Sequence, residues 1–493
     1  VLYCHQTSKL CNMSHQQSPR IVILGGGPTG LGAALRLTDL GHVDNWELID
    51  CASIAGGLSR SFVDEKGFTW DLGGHVIFSH YSYFDDAMDF AVKEWNQLER
   101  ESWVWVSGVW VPYPFQNNIH RLPNHDKQKA LDGLIDVHRQ TYTEKPQNFE
   151  EYFVRQFGEG IADLFMRPYN FKVWAVPPKM MSTEWTGERV ATVDLKRVCR
   201  NVVHNTDDLG WGPNATFRFP LHGGTGGIWS ALAEKLPQAN LSIGEEHRVV
   251  RVDADAKTVT LSSGRVVAYD KLISTIPFDE LIRITDGSFE NKDEWPSIAD
   301  QMVYSATNVI GLGVKGEAPP HLKTKCWMYF PESSSPFYRC TVFSNYSKYN
   351  APEGHWSLML EVSESVHKPV DQATLMEACV QGCINSNLLT QEDEIVSKWH
   401  IRLAKGYPTP FVGRNDLLQR VQPHLEAKDI YSRGRFGGWK YEVANQDHSM
   451  MQGVECVEKI LGLGEEITYH NPNHVNSTKD TVRRLSLRTQ IEQ

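Results

Sequence analysis

A short β-type run, Ile21-Val22-Ile23-Leu24, leads directly into Gly25, Gly27 and Gly30, spaced G-x-G-x-x-G, and helical apolar spacing continues through 31–40. Residues 46–49 restore a strand pattern and end on Asp50, 20 positions after Gly30. This is the sequence of a βαβ unit. Its glycines permit a tight turn and close approach of backbone to a pyrophosphate, and the helix N-terminus offers unpaired amides to the phosphates. Asp50 is placed to accept hydrogen bonds from a ribose.

The continuation narrows the cofactor. Gly56-Gly57 follows the acid, and residues 67–73 (GFTWDLG) add a G-x-x-x-D-x-G string. The whole resembles the extended fingerprint of FAD enzymes that include amine oxidases, protoporphyrinogen oxidases and UDP-galactopyranose mutases. That resemblance implies FAD rather than NAD. Asp50 stands where the wider group more often has Glu, a shorter carboxylate that makes the same bidentate contact.

With 493 residues, 41% of them hydrophobic, the chain has material for two to four structural units. A net charge of −11 argues against nucleic acid or an anionic membrane as a global partner. The nine cysteines include no C-x-x-C and no zinc-like Cys/His spacing, so no metal is expected and a reducing cytoplasm fits. Cys379 and Cys383 lie four apart in an expected helix and read as packing. No run of about 18 apolar residues predicts a membrane span, and the first 19 residues lack a signal-peptide core.

The fold class expected is α/β. A Rossmann-like FAD-binding domain is split into three segments, 21–95, 221–285 and 420–465. A mainly helical domain with mobile flap loops occupies 96–220, and an antiparallel β-sheet substrate domain occupies 286–419. Residues 1–20 and 466–493 read as polar, disordered extensions. Within this frame, 103–106 and 110–111 bracket a hairpin turn at Ser107-Gly108. Residues 127–141 and 149–158 predict helices, and the string 222–227 (HGGTGG) precedes a helix over 228–236. A hairpin is expected around Asp255, a buried strand over 272–277, further strands over 308–314 and 356–362, and a helix over 448–460.

Longer strings point to one family. Residues 73–81 (GGHVIFSHY), 111–118 (VPYPFQNN), 167–174 (RPYNFKVW), 211–220 (WGPNATFRFP) and 438–449 (GWKYEVANQDHS) resemble UDP-galactopyranose mutases of the fungal and trypanosomatid branch. The resemblance runs from about residue 21 to 461. It implies interconversion of UDP-galactopyranose and UDP-galactofuranose with reduced FAD and no net redox change. In that family the reduced flavin N5 attacks the anomeric carbon as UDP departs. The sugar opens through an iminium ion, recloses as the other ring, and UDP displaces the flavin. The resemblance also implies NADPH as reductant at the same flavin face, and galactofuranose for cell-surface glycans.

The same resemblance assigns roles. Arg189, in 185–191 (WTGERVA), and Arg339, in 337–340 (FYRC), match the two diphosphate arginines, whose planar fork suits paired oxygens. Tyr113, Tyr329, Tyr407 and Tyr441 match hydroxyl donors to the same phosphates. Phe165, Gln116, Asn170 and Trp174 match the uridine side. Trp327 and Arg435 match positions near the galactose and the flavin, and Asn214 lies on a flap loop. His75, after Gly73-Gly74, is assigned to positioning the flavin near N5 rather than to proton transfer. Gly57, Leu58, Gly74, Val249, Gly438, Asn445, Gln446 and Ser449 are expected FAD contacts, with Asn445 also on the substrate side. An FAD oxidase of the amine-oxidase type is the competing reading, resting on the shared fingerprint alone. Nothing in the sequence selects an oligomeric state.

Overall fold

The computed structural model describes residues 18–209 and 215–487. Its central sheet has five parallel strands in the order Ile430–Ser432, Lys271–Ser274, Ile21–Leu24, Trp46–Asp50, Leu241–Ile243. Three distant stretches of chain therefore build one sheet. Ile21–Leu24 is buried at every position, as expected of a parallel strand covered on both faces. On one side lie the helices Pro28–Asp39 and Gln446–Ile460, packed with Leu31, Leu35, Met450 and Val454 in a common core. On the other side Val22, Leu24 and Ile49 pack against Val252, Val259, Phe278 and Leu281, which belong to a four-stranded sheet and its neighbouring helix.

A second large sheet has seven strands, ordered Ile395–Pro408, Tyr304–Lys315, His355–Glu364, Arg339–Val342, Trp327–Tyr329, Trp103–Val106, Val109–Pro112. Two features correct the expected antiparallel sheet of 286–419. Its last two strands come from the region expected as mainly helical, and Trp327–Tyr329 pairs Trp103–Val106 in parallel. The β-branched and tryptophan-rich hairpin around Ser107-Gly108, both with positive φ, adds an edge to the substrate sheet instead of remaining local. Another pair of strands, Trp95–Glu99 and Thr216–Pro220, closes that region at both ends. Between them, Asn148 caps Phe149–Ile161 by accepting from the Glu151 amide at 3.0 Å.

The helix after the HGGTGG string starts at Gly224, earlier than expected. Arg20 also belongs to the fold: its amide and guanidinium bond Asp270 and Ala268 beside the central sheet. The expected C-terminal tail departs furthest from expectation. Residues 466–487 contain the helices Ile467–His470 and Pro472–Ser477, and Leu485 is 3% exposed. Arg433, fully buried, donates to both Glu466 oxygens, and Glu455 accepts from the Thr468 amide and hydroxyl. This segment docks through ion pairs and hydrogen bonds, which leave no apolar periodicity in its sequence. Residues 1–17 and Asn214, with its loop neighbours 210–213, lie outside the described residues.

Candidate functional site

A cavity of about 670 Å³ runs from the C-terminal edge of the parallel sheet to the seven-stranded sheet. Its first end is built by the glycine loop. Gly25 has φ +104°, and a Cβ there would lie 2.0 Å from Thr275 Oγ1. A Cβ on Gly30 would lie 1.8 Å from the Gly25 carbonyl, so that glycine lets helix and strand meet. The helix begins with Gly27 as N-cap, Pro28 in its first turn and no acidic residue there, which leaves its first-turn amides to an anion. Asp50 ends its strand with each carboxylate oxygen taking one loop amide, Gly26 on Oδ2 and Ala52 on Oδ1. The second lone pair of each oxygen remains for ribose hydroxyls.

Gly25, Gly27, Asp50, Gly57, Leu58 and Val249 line this end of the cavity, and Gly74, His75, Arg435, Asn445, Gln446 and Ser449 line its middle. Two expected cofactor residues do not line it. Gly30 acts beneath the loop, and Gly438 packs under Tyr469 and the Gly434 carbonyl. Arg435 donates to the carbonyls of Gly406 and Ala444 and stacks over Tyr407 at 4.6 Å.

His75 is a neutral ring. Burial pulls its pKa from 6.5 down to about 4; Glu361 opposes this, and Arg435 and Arg339 add to it. Its Nδ1 is buried without a partner among the described residues. Beside it, Glu361 accepts from the Gly74 amide at 3.0 Å, the Tyr338 hydroxyl at 2.7 Å and both arms of Arg339. Burial alone raises a carboxyl pKa, but Arg339 and these donors overcome it and hold Glu361 ionised. Sequence reasoning missed Glu361, although a carboxylate directly after the apolar run Leu358-Met359-Leu360 is a legible signal.

The far end is aromatic. Tyr113 and Tyr329 lie 5.3 Å apart, Phe165 stacks on Tyr169 at 4.9 Å, and Trp174 meets Tyr441 edge-on at 4.6 Å. Burial raises the Tyr113 and Tyr329 hydroxyl pKa values, so both remain O–H donors. Phe165 lies in a π-helical turn, Ala162–Met166, which shifts the phase of the helix that follows. Tyr169, four residues after Phe165, also lines the cavity and was not marked in the sequence.

Arg189 donates to Asn445 Oδ1 at 2.8 Å and to the Glu442 carbonyl at 3.3 Å, and its guanidinium lies 4.9 Å from the Tyr441 ring. Gln116 donates to the Ala191 carbonyl at 2.6 Å, and Asn170 to Met166 at 2.7 Å. Their amide nitrogens are thus engaged by the protein, and buried Gln116 Oε1 has no partner among the described residues. Trp327, Tyr407 and Arg339 complete the expected residues on the cavity wall, and Arg100, Trp185 and Tyr338 line it unforeseen.

The lining fits a flavin dinucleotide joined end to end with a nucleoside diphosphate ligand. Buried atoms without partners among the described residues lie here: His75 Nδ1, Gln116 Oε1, Arg189 Nε, Trp327 Nε1 and Thr307 Oγ1. Buried polar atoms left unpaired cost about 1–3 kcal/mol each, so a cluster of them marks where a polar ligand binds. The described residues bring one set of metal-type side chains together, His80, Asp447 and His448, within 4.8 Å. The His80 ring and amide both turn to Asp447 Oδ2, making a hydrogen-bonded pair whose carboxylate residue borders the cavity.

Comparison with known proteins agrees with this geometry. The profile of the family Flavin containing amine oxidoreductase matches residues 28–438. A crystal structure of reduced UDP-galactopyranose mutase is 67% identical, covers 95% of this chain and 99% of its own, and superposes with a TM-score of 0.94. A putative protoporphyrinogen oxidase from Exiguobacterium sp. 255-15 is 17% identical with a TM-score of 0.67, covering 90% of this chain and 98% of its own, which shows the shared fold alone. Among curated proteins, the zeta-carotene desaturase of Capsicum annuum is 32% identical over 89 residues, 18% of this chain and 15% of that protein. The chain thus matches about 15% of the length of that relative.

Proposed function

The chain belongs to the flavin-containing amine oxidoreductase family and, within it, to the UDP-galactopyranose mutases; from that premise we propose that it interconverts UDP-galactopyranose and UDP-galactofuranose. The observation that carries the reading is one continuous cavity, with a dinucleotide cradle at one end and arginine and tyrosine donors among aromatic rings at the other. When bound, reduced FAD supplies the nucleophilic N5 at the sugar's anomeric carbon.

The protein's own residues do the rest. Arg189 and Arg339 neutralise the departing diphosphate, and the neutral hydroxyls of Tyr113, Tyr329, Tyr407 and Tyr441 add donors without further fixed charge. Phe165, Tyr169 and Trp174 hold the uracil between rings, with Gln116 Oε1 placed to accept from its N3–H. Asn170 supports that pocket through its bond to Met166. Neutral His75, carried on the backbone that Glu361 pins at Gly74, positions the flavin and does not move a proton. Trp327 walls the sugar side in this reading. Gly74, Asn445, Gln446 and Ser449 would hold the flavin.

NADPH is the proposed reductant, using the same cavity, since the other G-x-G-x-x-G spacing, 311–316 (GLGVKG), runs along the strand Tyr304–Lys315 and opens no helix of a second nucleotide-binding unit. No helix among the described residues is long and apolar enough to cross a membrane, and a cytoplasmic reaction is the reading that the cysteine pattern supports. The test is product analysis. UDP-galactofuranose added to reduced protein should yield UDP-galactopyranose with no stoichiometric hydrogen peroxide. Peroxide in proportion to a consumed amine, without isomerised nucleotide sugar, would replace the mutase by an amine-type oxidase.

A further inference from the structure

The C-terminal segment carries the sequence Arg483-Arg484-Leu485-Ser486, and the structure lays it on three helices of the FAD domain. Each helix contributes a carboxylate. Glu458, from Gln446–Ile460, takes Arg483 through both oxygens, Nε at 3.1 Å and Nη2 at 2.9 Å. Asp86, from Ser82–Ala91, takes Arg484 at 2.6 and 2.7 Å and also the Leu485 amide. Asp39, the last residue of Pro28–Asp39, takes the Ser486 and Leu487 amides on one oxygen at 2.8 and 3.0 Å. Leu485 is buried in the helix core, whereas Ser486 is exposed.

Two adjacent arginines, one spacer and a serine are what basophilic serine/threonine kinases select, through acidic subsites for the arginines. The docked segment satisfies the same chemistry from within the molecule: bidentate carboxylates for both arginines, an apolar seat for Leu485, and the serine left at the surface. We propose that Ser486 is a phosphorylation site for a basophilic kinase, and that phosphate there releases residues 480–487 from the FAD domain. In the transfer, Ser486 Oγ attacks the γ-phosphorus of a nucleoside triphosphate held by the kinase. The Oγ–P bond forms, the bond to the β-bridging oxygen breaks, the nucleoside diphosphate leaves, and the hydroxyl proton passes to the kinase base.

The consequence follows from charge. A phosphoserine adds about −1.5 to −2 units at pH 7. It does so on the residue whose amide already donates to Asp39, with Asp86 one contact away. Among the described residues the neighbouring cations are already paired: Arg36 with Asp39 and Glu458, and Lys479 with Asp85. Arg483 and Arg484 are themselves engaged and travel with the segment. Like charges then face each other across the latch, and the amide bonds to Asp39 and Asp86 are the first to open.

The experiment uses the full-length holoprotein, the catalytic subunit of cyclic-AMP-dependent protein kinase and γ-labelled ATP, with flavin absorbance confirming an intact fold throughout. The expected result is about one phosphate per chain, located on Ser486 and lost in Ser486→Ala. Amide exchange at 485–487 should then accelerate about tenfold or more. The double variant Asp39→Asn with Asp86→Asn, which loosens the latch without phosphate, should be phosphorylated faster than the parent. Two results would overturn the proposal. One is a holoprotein and double variant that both stay unmodified while a peptide of residues 480–490 is modified. The other is stoichiometric Ser486 phosphate with unchanged exchange at 485–487. Neither result bears on the mutase reading.

Discussion

Arg339 and Glu361 face each other as a bidentate pair, Nε to Oε1 at 2.7 Å and Nη2 to Oε2 at 2.8 Å, across two neighbouring strands of the substrate sheet. Glu361 also accepts from the Gly74 amide. One carboxylate therefore fixes both an arginine of the cavity wall and the loop that carries His75. The guanidinium keeps 19% of its side-chain surface, on the cavity wall, and Glu361 keeps 2%. The acid thus orients the cation and leaves a face of it open to the ligand.

Glu361→Gln removes the counter-charge and keeps the shape. Breaking a buried pair by neutralising one member costs about 3–5 kcal/mol. The variant should unfold at a lower temperature, bind FAD less tightly and lose turnover. Thermal unfolding with flavin fluorescence checks this. An unchanged midpoint with parental flavin content would mean that the pair neither stabilises the sheet nor holds the Gly74 loop.

His75 gives the pH prediction. Burial lowers its pKa from 6.5 to about 4, so the unfolded chain takes up this proton more readily than the folded one. Its contribution to stability is full above about pH 6.5 and is lost as pH falls towards 4. Histidine-selective NMR should show one ring that stays neutral at pH 5.5 and is absent from His75→Gln. A His75 signal titrating near 6.5 would show that the ring is solvated and free to carry a proton.

Arg189→Ala should reduce turnover of the reduced enzyme about 10²–10³-fold, the usual loss when one transition-state donor is removed. Most of the FAD should stay bound, because Arg189 does not reach the glycine cradle, and a modest loss of flavin would report its bond to Asn445. Arg189→Lys should recover only part of the loss, since an ammonium lacks the planar fork. Full recovery by lysine would indicate point-charge attraction without directed donors.

Gly30→Ala tests the cradle. The added methyl would meet the Gly25 carbonyl at 1.8 Å, so helix and strand must part, at a cost of about 1–3 kcal/mol or more. Purified variant should carry less flavin, read from the ratio of flavin to protein absorbance. Full occupancy would show that the loop accommodates a Cβ.

The parts of the fold visible in the sequence are those with short-range signatures. Ile21–Leu24, the glycine loop and Asp50 declare themselves because a buried parallel strand, a tight turn and a helix start each restrict residue type locally. The hairpin at Ser107-Gly108 was equally legible, but its sheet partner Trp327–Tyr329 lies far along the chain, and no local pattern reports a parallel pairing at that distance. Ile395–Pro408 went unmarked because as an edge strand it mixes lysine, arginine and histidine with its apolar residues. Tyr169 was not marked because an aromatic four residues after Phe165 reads equally well as core packing. The segment 466–487 was hidden because arginine–carboxylate pairs hold it, and such pairs look like solvated polarity in a sequence. In the site, the matched strings named most of the cavity wall, while Glu361 is evident only once Arg339 and Gly74 are seen to converge on it.

The central claim is that the flavin acts as a nucleophile in its reduced form. The most direct measurement is chromatography of UDP-galactofuranose incubated with the purified holoprotein, once with dithionite and once under air. The account predicts conversion to UDP-galactopyranose in the reduced sample and none in the aerated one. No conversion in either, with FAD bound and visibly bleached by dithionite, would contradict the mutase assignment; equal conversion in both would contradict the requirement for reduced flavin.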